Sequence, residues 1–125
     1  MIRLREMTRD DIKYIKDLTN TNTDIITNLF NNAINKIVIE DDGIKGFALI
    51  KKLGALNELS AWHLNPEHSL LLKAITRKIN GPIAAAEQES NEGRIKILES
   101  AGFKKQSIID GVFNDARAVM LTKTN

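Results

Sequence analysis

The chain has no cysteine, two prolines, one tryptophan and one tyrosine in 125 residues. Without cysteine there is neither a disulfide framework nor a thiolate metal site, a composition that suits a reducing compartment. Long apolar runs are missing too, and no stretch approaches the ~20 residues of a membrane-spanning helix. The start, MIRLREMTRDD, carries basic residues but no apolar run of a secretory signal. Charge of one sign is equally scarce. The net charge is +2 and acids and bases are interspersed, which gives no footing for nucleic acid or an anionic membrane surface. Repeats and low-complexity linkers are lacking. The expectation is one cytoplasmic domain spanning residues 1–125. Ile, Lys and Asn are common, as in products of AT-rich genomes such as those of phages or low-GC bacteria.

What the chain does have is punctuated periodicity. Ile2 to Met7 alternates apolar and charged residues, the pattern of a half-buried strand. Thr8 offers a cap to DDIKYIKDL, whose apolar side is Ile12, Tyr14, Ile15 and Leu18. After the polar run TNTNTD at 19–24, residues 24–34 form a second helix with Ile25, Ile26, Leu29, Phe30 and Ala33 on one face. A hairpin follows: a strand over 36–40, a tight turn at Asp41-Asp42-Gly43, and a return strand over 44–52. A further strand, ELSAWHL at 58–64, ends at Pro66, which cannot continue a ladder. Residues 69–79 form a helix with Leu71, Leu72, Ile75 and Ile79 at helical spacing and Gly81 just beyond. PIAAAEQ at 82–88 is a strand fit for a sheet interior. The tail adds strands near 106–109 and 116–122, joined by a turn containing Gly111. The order β-α-α-β-β-β-α-β-α-β-β describes a mixed α/β (α+β) domain with a mostly antiparallel sheet flanked by helices. The unit from 58 to 88 is a parallel crossover if both its strands join one sheet.

The segment NEGRIKILESAGFKK at 91–105 is the most fully specified. Asn91 is placed to cap a helix. Arg94, Ile97, Leu98 and Ala101 share a face, with Ile95 beside them. Gly102 stands where a left-handed residue ends a helix, and Leu98 and Phe103 occupy the two positions that touch in a Schellman ending.

This order of elements, with Asn91, then a helix, then Leu98-Glu99-Ser100-Ala101-Gly102-Phe103, resembles the GNAT superfamily of acyl-CoA-dependent N-acetyltransferases. The resemblance spans nearly the whole chain: IRLREMTRDDIKYIKDL is similar to the first strand and helix of that family, and KIVIEDDGIKGFALIKK to its central hairpin. It implies acetyl-CoA as cofactor and an amine or protein nitrogen as acceptor. It implies cofactor contacts at Leu64, His68, Ser69, Asn91 and Arg94. His63, Glu58 and Glu87 are then the candidates for catalysis, with His63 the natural base because an unperturbed imidazole titrates near ~6.5.

Two departures stand beside these matches. The family grips the cofactor diphosphate with a glycine-containing loop ahead of a helix, where backbone N–H groups and the helix dipole favour anions. Here the junction reads HLNPEHSLLLKAI, with no glycine between Gly54 and Gly81, and Pro66 has no N–H. Leu98 stands where many relatives carry a tyrosine acid. Each candidate also has a plain structural explanation. His63 fits a hydrogen-bonded strand end, and Glu58, five residues away, falls on the opposite face by parity. Glu87 fits a solvated turn, Asn91 a cap, Arg94 an exposed cation, and Trp62 the core. His63 and His68 lack metal-ligand spacing, and no metal site is expected.

Two functions follow as expectations. In one, the fold has a degenerate acetyl-CoA site and the protein works through its surface, as a non-catalytic partner-binding or virion-associated phage protein. In the other, it is a minimal N-acetyltransferase moving acetyl from acetyl-CoA to an amine.

Overall fold

The computed structural model describes residues 1–113 and 116–124, with the backbone alone at 111–113 and 116. The strands are β1 (Arg3–Glu6), β2 (Asn35–Glu40), β3 (Ile44–Leu53), β4 (Leu56–His63), β5 (Ile83–Gln88), β6 (Lys104–Phe113) and β7 (Ala116–Lys123). The helices are α1 (Ile12–Thr19), α2 (Thr23–Asn32), α3 (Leu70–Arg77) and α4 (Glu92–Ser100), with short 3-10 turns at Arg9–Asp11 and Pro66–His68. The element order matches the sequence pattern. One sheet has the strand order β1-β2-β3-β4-β5-β7-β6. The described pairings are antiparallel except β4 with β5, which is the parallel crossover.

Two compact units divide the chain: Met1–Leu53 with Leu59–Asn65, and Gly54–Glu58 with Pro66–Asn125. In the first, Met7, Ile12, Ile15, Ile26, Phe30, Val38, Phe47 and Leu49 form a continuous core. Polar groups fix where α1 begins. The Arg5 guanidinium donates from both terminal nitrogens to the two Asp11 oxygens at 2.8 Å, and its Nε donates to Glu40 on β2. Thr8 adds its backbone N–H to Asp11 Oδ2 at 2.7 Å. This fork is the strong, bidentate form of an ion pair. Hydrogen bonding from Arg5 therefore holds the Asp11 carboxyl down at about 2, against the opposing effect of burial.

In the second unit, Ile83, Ala85, Leu121 and Val119 are buried, as are Leu72 and Ile75 of α3 and Ile95 and Leu98 of α4. Asn57 is buried where β4 begins. Its side-chain amide donates to the carbonyls of Asn80 and Pro82 at 2.8 and 3.2 Å, and its backbone N–H donates to Pro82 at 2.9 Å. One asparagine thus ties β4 to the segment leading into β5.

Several sequence expectations change. Tyr14 and Ile25, assigned to apolar helix faces, are exposed; each lies at the margin of a stripe whose centre packs. β4 starts at Leu56, two residues earlier than the alternation implies, because Gly54 at φ 60° makes a tight turn directly after β3. Leu64 lies just outside β4 and is buried. β6 extends through Gly111 to Phe113, so Gly111 is not the turn; the connection at 114–115 lies outside the described residues. Trp62 is buried, as a core residue should be.

Candidate functional site

The resemblance directs attention to two strand-to-helix junctions, β4 into α3 and β5 into α4. At the first, His63 is the last residue of β4 and half-buried. Its position is tight: a Cβ on Gly46 of β3 would lie 2.6 Å from the His63 carbonyl oxygen, so only glycine fits there. Burial along β4 changes parity, from Asn57 and Leu59 to Trp62 and Leu64. Each face of the strand is thus covered along a different stretch. Glu58 is half-buried near the other end of β4, where it pairs in register with Ala84. Glu58 and His63 remain on opposite parity along the strand.

Beyond Leu64 the chain enters the 3-10 turn Pro66–His68. His68 is buried within it, not held out at a helix entrance. Ser69 already has helical angles, φ −57° and ψ −33°, and its side chain makes no capping bond. Its N–H donates back to the Pro66 carbonyl at 3.2 Å, and its own carbonyl accepts from Leu72 N–H at 3.3 Å. An anion cradle needs several N–H groups converging on one point outside the helix. Pro66 has none to give, and that of Ser69 is turned inward.

The second junction is built differently. The β5–β7 register runs unbroken to Gln88 opposite Ala118. Asn91 N–H donates to the Gln88 carbonyl at 3.0 Å, and its side-chain oxygen accepts from Arg94 N–H at 3.4 Å, which caps α4 as the sequence implies. Arg94 Nε donates to Glu87 Oε2 at 2.8 Å. The Glu87 side chain is 12% exposed and that of Arg94 31%, so the pair is partly desolvated and Glu87 is not a freely solvated charge. The structure therefore brings Glu87, Asn91 and Arg94 together, and it joins a catalytic candidate to a cofactor candidate. Periodicity could not reveal that pair: the two residues are seven apart across a turn and share no helix or strand. The far end of α4 closes as read. Gly102 adopts φ 104°, Phe103 N–H donates to the Leu98 carbonyl and Gly102 N–H to that of Glu99, both at 3.0 Å. Leu98 is fully buried and serves the core.

Among the described residues no cluster of His, Cys, Asp and Glu is suited to a metal ion, and no helix is long and apolar enough to cross a membrane. No protein-family model matches the sequence, and no curated protein does. Solved structures match it along its whole length. An acetyltransferase of the GNAT family from Bacillus cereus ATCC 10987 is 17% identical, with 100% of this chain and 98% of that one covered and a TM-score of 0.81. Ard1 from Thermoplasma volcanium is 12% identical over 98% and 97% of the two chains, with a TM-score of 0.82. The ribosomal-protein-S18-alanine N-acetyltransferase from Escherichia coli is 12% identical over 99% and 94%, with a TM-score of 0.79. At such identities the likeness speaks for the fold, and the chain has the GNAT N-acetyltransferase fold.

Proposed function

We propose that this protein carries the N-acetyltransferase fold with an impaired acetyl-CoA site and works chiefly as a non-catalytic interaction protein. The observation that carries the reading is the β4–α3 junction. There a 3-10 turn with Pro66, buried His68 and an inward-turned Ser69 N–H stands where a diphosphate needs free donors. Neither Pro66 nor Ser69 offers a free N–H to a diphosphate. The junction of β5 with α4 supports the same reading, since the Glu87–Arg94 pair satisfies both charges without a ligand. A phage or virion-associated setting is part of this proposal; its support is the composition rich in Ile, Lys and Asn.

A minimal N-acetyltransferase is the second reading, favoured by the position of His63 at the end of β4. Amines are the acceptor class to try, because structural neighbours are named for a protein alanine and for spermidine. The test follows free thiol release from acetyl-CoA with spermidine and with an alanine-terminated peptide. The non-catalytic reading expects no release above the uncatalysed background. Release that disappears in His63→Ala overturns it and establishes the enzyme.

A further inference from the structure

Of the asparagines in the chain, only Asn80 is followed by glycine. Asn80 and Gly81 lie in the short connection between α3 and β5. Gly81 adopts φ 90°, a left-handed angle that side chains disfavour, so this turn needs its glycine. Space is not what demands it. A Cβ there would meet only ordinary contacts, with Asn57 Nδ2 at 3.6 Å and the Ala55 carbonyl oxygen at 3.8 Å.

The glycine that the backbone requires also leaves Asn80 open to chemistry. With no Cβ beside it, the Gly81 amide nitrogen can approach the neighbouring side chain unhindered. The main chain at this point is held: the Asn80 and Pro82 carbonyls accept from the Asn57 side-chain amide at 2.8 and 3.2 Å. The two groups that would react are not held. Asn80 is exposed. Among the described residues neither its side-chain amide nor the Gly81 N–H makes a hydrogen bond. By contrast, the side chains of Asn22, Asn28, Asn31, Asn32, Asn57 and Asn91 are all engaged.

We propose that Asn80 is a site of spontaneous covalent modification, at which the Gly81 amide nitrogen attacks the Asn80 side-chain carbonyl carbon. The new C–N bond closes a cyclic imide as the bond to the side-chain nitrogen breaks. That nitrogen takes the Gly81 amide proton and leaves as ammonia. Water then opens the imide, its oxygen going to the carbonyl carbon and a proton to the Gly81 nitrogen, and nothing is oxidised or reduced. Opening at the side-chain carbonyl gives aspartate. Opening at the main-chain carbonyl gives isoaspartate, whose backbone runs through the side chain and is a carbon longer. In that product the carbonyl clamped by Asn57 becomes a carboxylate beside the chain, and the segment entering β5 lengthens. Both changes loosen the tie between the start of β4 and β5. The site is remote in sequence from both strand-to-helix junctions, and the inference does not depend on whether coenzyme A binds.

Peptide mapping by mass spectrometry tests it on the full chain, incubated at neutral pH below its unfolding transition and, in parallel, unfolded in guanidinium chloride. Asn80 should convert at least roughly tenfold faster than any other asparagine of the folded chain, and within roughly tenfold of its own rate in the unfolded one. The isoaspartyl fraction should unfold at a lower temperature than the unmodified protein. Asn80→Gln, whose side chain closes such a ring far more slowly, should stay folded and lose most of the ammonia release. Conversion at Asn80 no faster than at other asparagines overturns the inference. So does a folded-state rate more than tenfold below the unfolded one, which would show that the turn keeps the nitrogen from its target, or an unchanged ammonia release in Asn80→Gln.

Discussion

The two strand-to-helix junctions do the same topological work and are built in opposite ways. Where β5 enters α4, Asn91 caps the first turn, Glu87 and Arg94 neutralise each other, and a Schellman ending pins Leu98 and Phe103 into the core. Where β4 enters α3, Ser69 is already helical, its side chain caps nothing, and a proline-led 3-10 turn takes up the approach. The contrast separates a junction capped by its own side chains from one led by a proline turn.

Substitutions can break or sharpen this contrast, and the largest effect belongs to α4. Leu98→Ala removes a fully buried side chain from the pinned end and should cost ~2–5 kcal/mol in chemical denaturation. A reference point away from both junctions calibrates that experiment. Asp11 titrates near 2 in the folded protein against 3.8 ordinarily, so its pairing with Arg5 stabilises the fold above pH ~4 and is lost as pH falls through about 2. Asp11→Asn should therefore cost about 2 kcal/mol at neutral pH and little near pH 2. Next, Arg94→Leu strands the largely buried Glu87 carboxylate and should cost about 1–2 kcal/mol. Asn91→Ala removes a long capping bond and should cost ~0.5–1 kcal/mol. Its counterpart Ser69→Ala removes no cap and should stay within ~0.5 kcal/mol of wild type. Equal costs for the last two would erase the distinction between the helix starts.

Much of this was legible in the sequence, for a physical reason. The order of elements and the ending of α4 depend on neighbours three to five residues apart, where spacing alone fixes which groups meet. Tyr14 and Ile25 were misplaced because the width of a buried stripe is set by what packs on it, not by periodicity. The early start of β4 was missed because Gly54-Ala55 is not among the strong hairpin dipeptides. The Arg5–Asp11–Glu40 fork and the Asn57 clamp join residues from distant parts of the chain, and nothing in local pattern announces them. At the candidate site, the cap at Asn91 was readable, whereas the charge pairing that engages Glu87 and Arg94 was not. The missing glycine and the presence of Pro66 are legible, but the inward turn of the Ser69 N–H depends on backbone angles that no spacing specifies.

The proposed function rests on the β4–α3 junction, where Pro66 has no N–H and that of Ser69 is already engaged. Parallel calorimetric titrations with acetyl-CoA and with acetyl-pantetheine, which shares the thioester arm but lacks the diphosphate and nucleoside, test it most directly. The account predicts that both bind weakly and within roughly tenfold of each other, a difference of no more than about 1.4 kcal/mol. Acetyl-CoA binding at least a hundredfold more tightly than acetyl-pantetheine, about 2.8 kcal/mol or more, would contradict it.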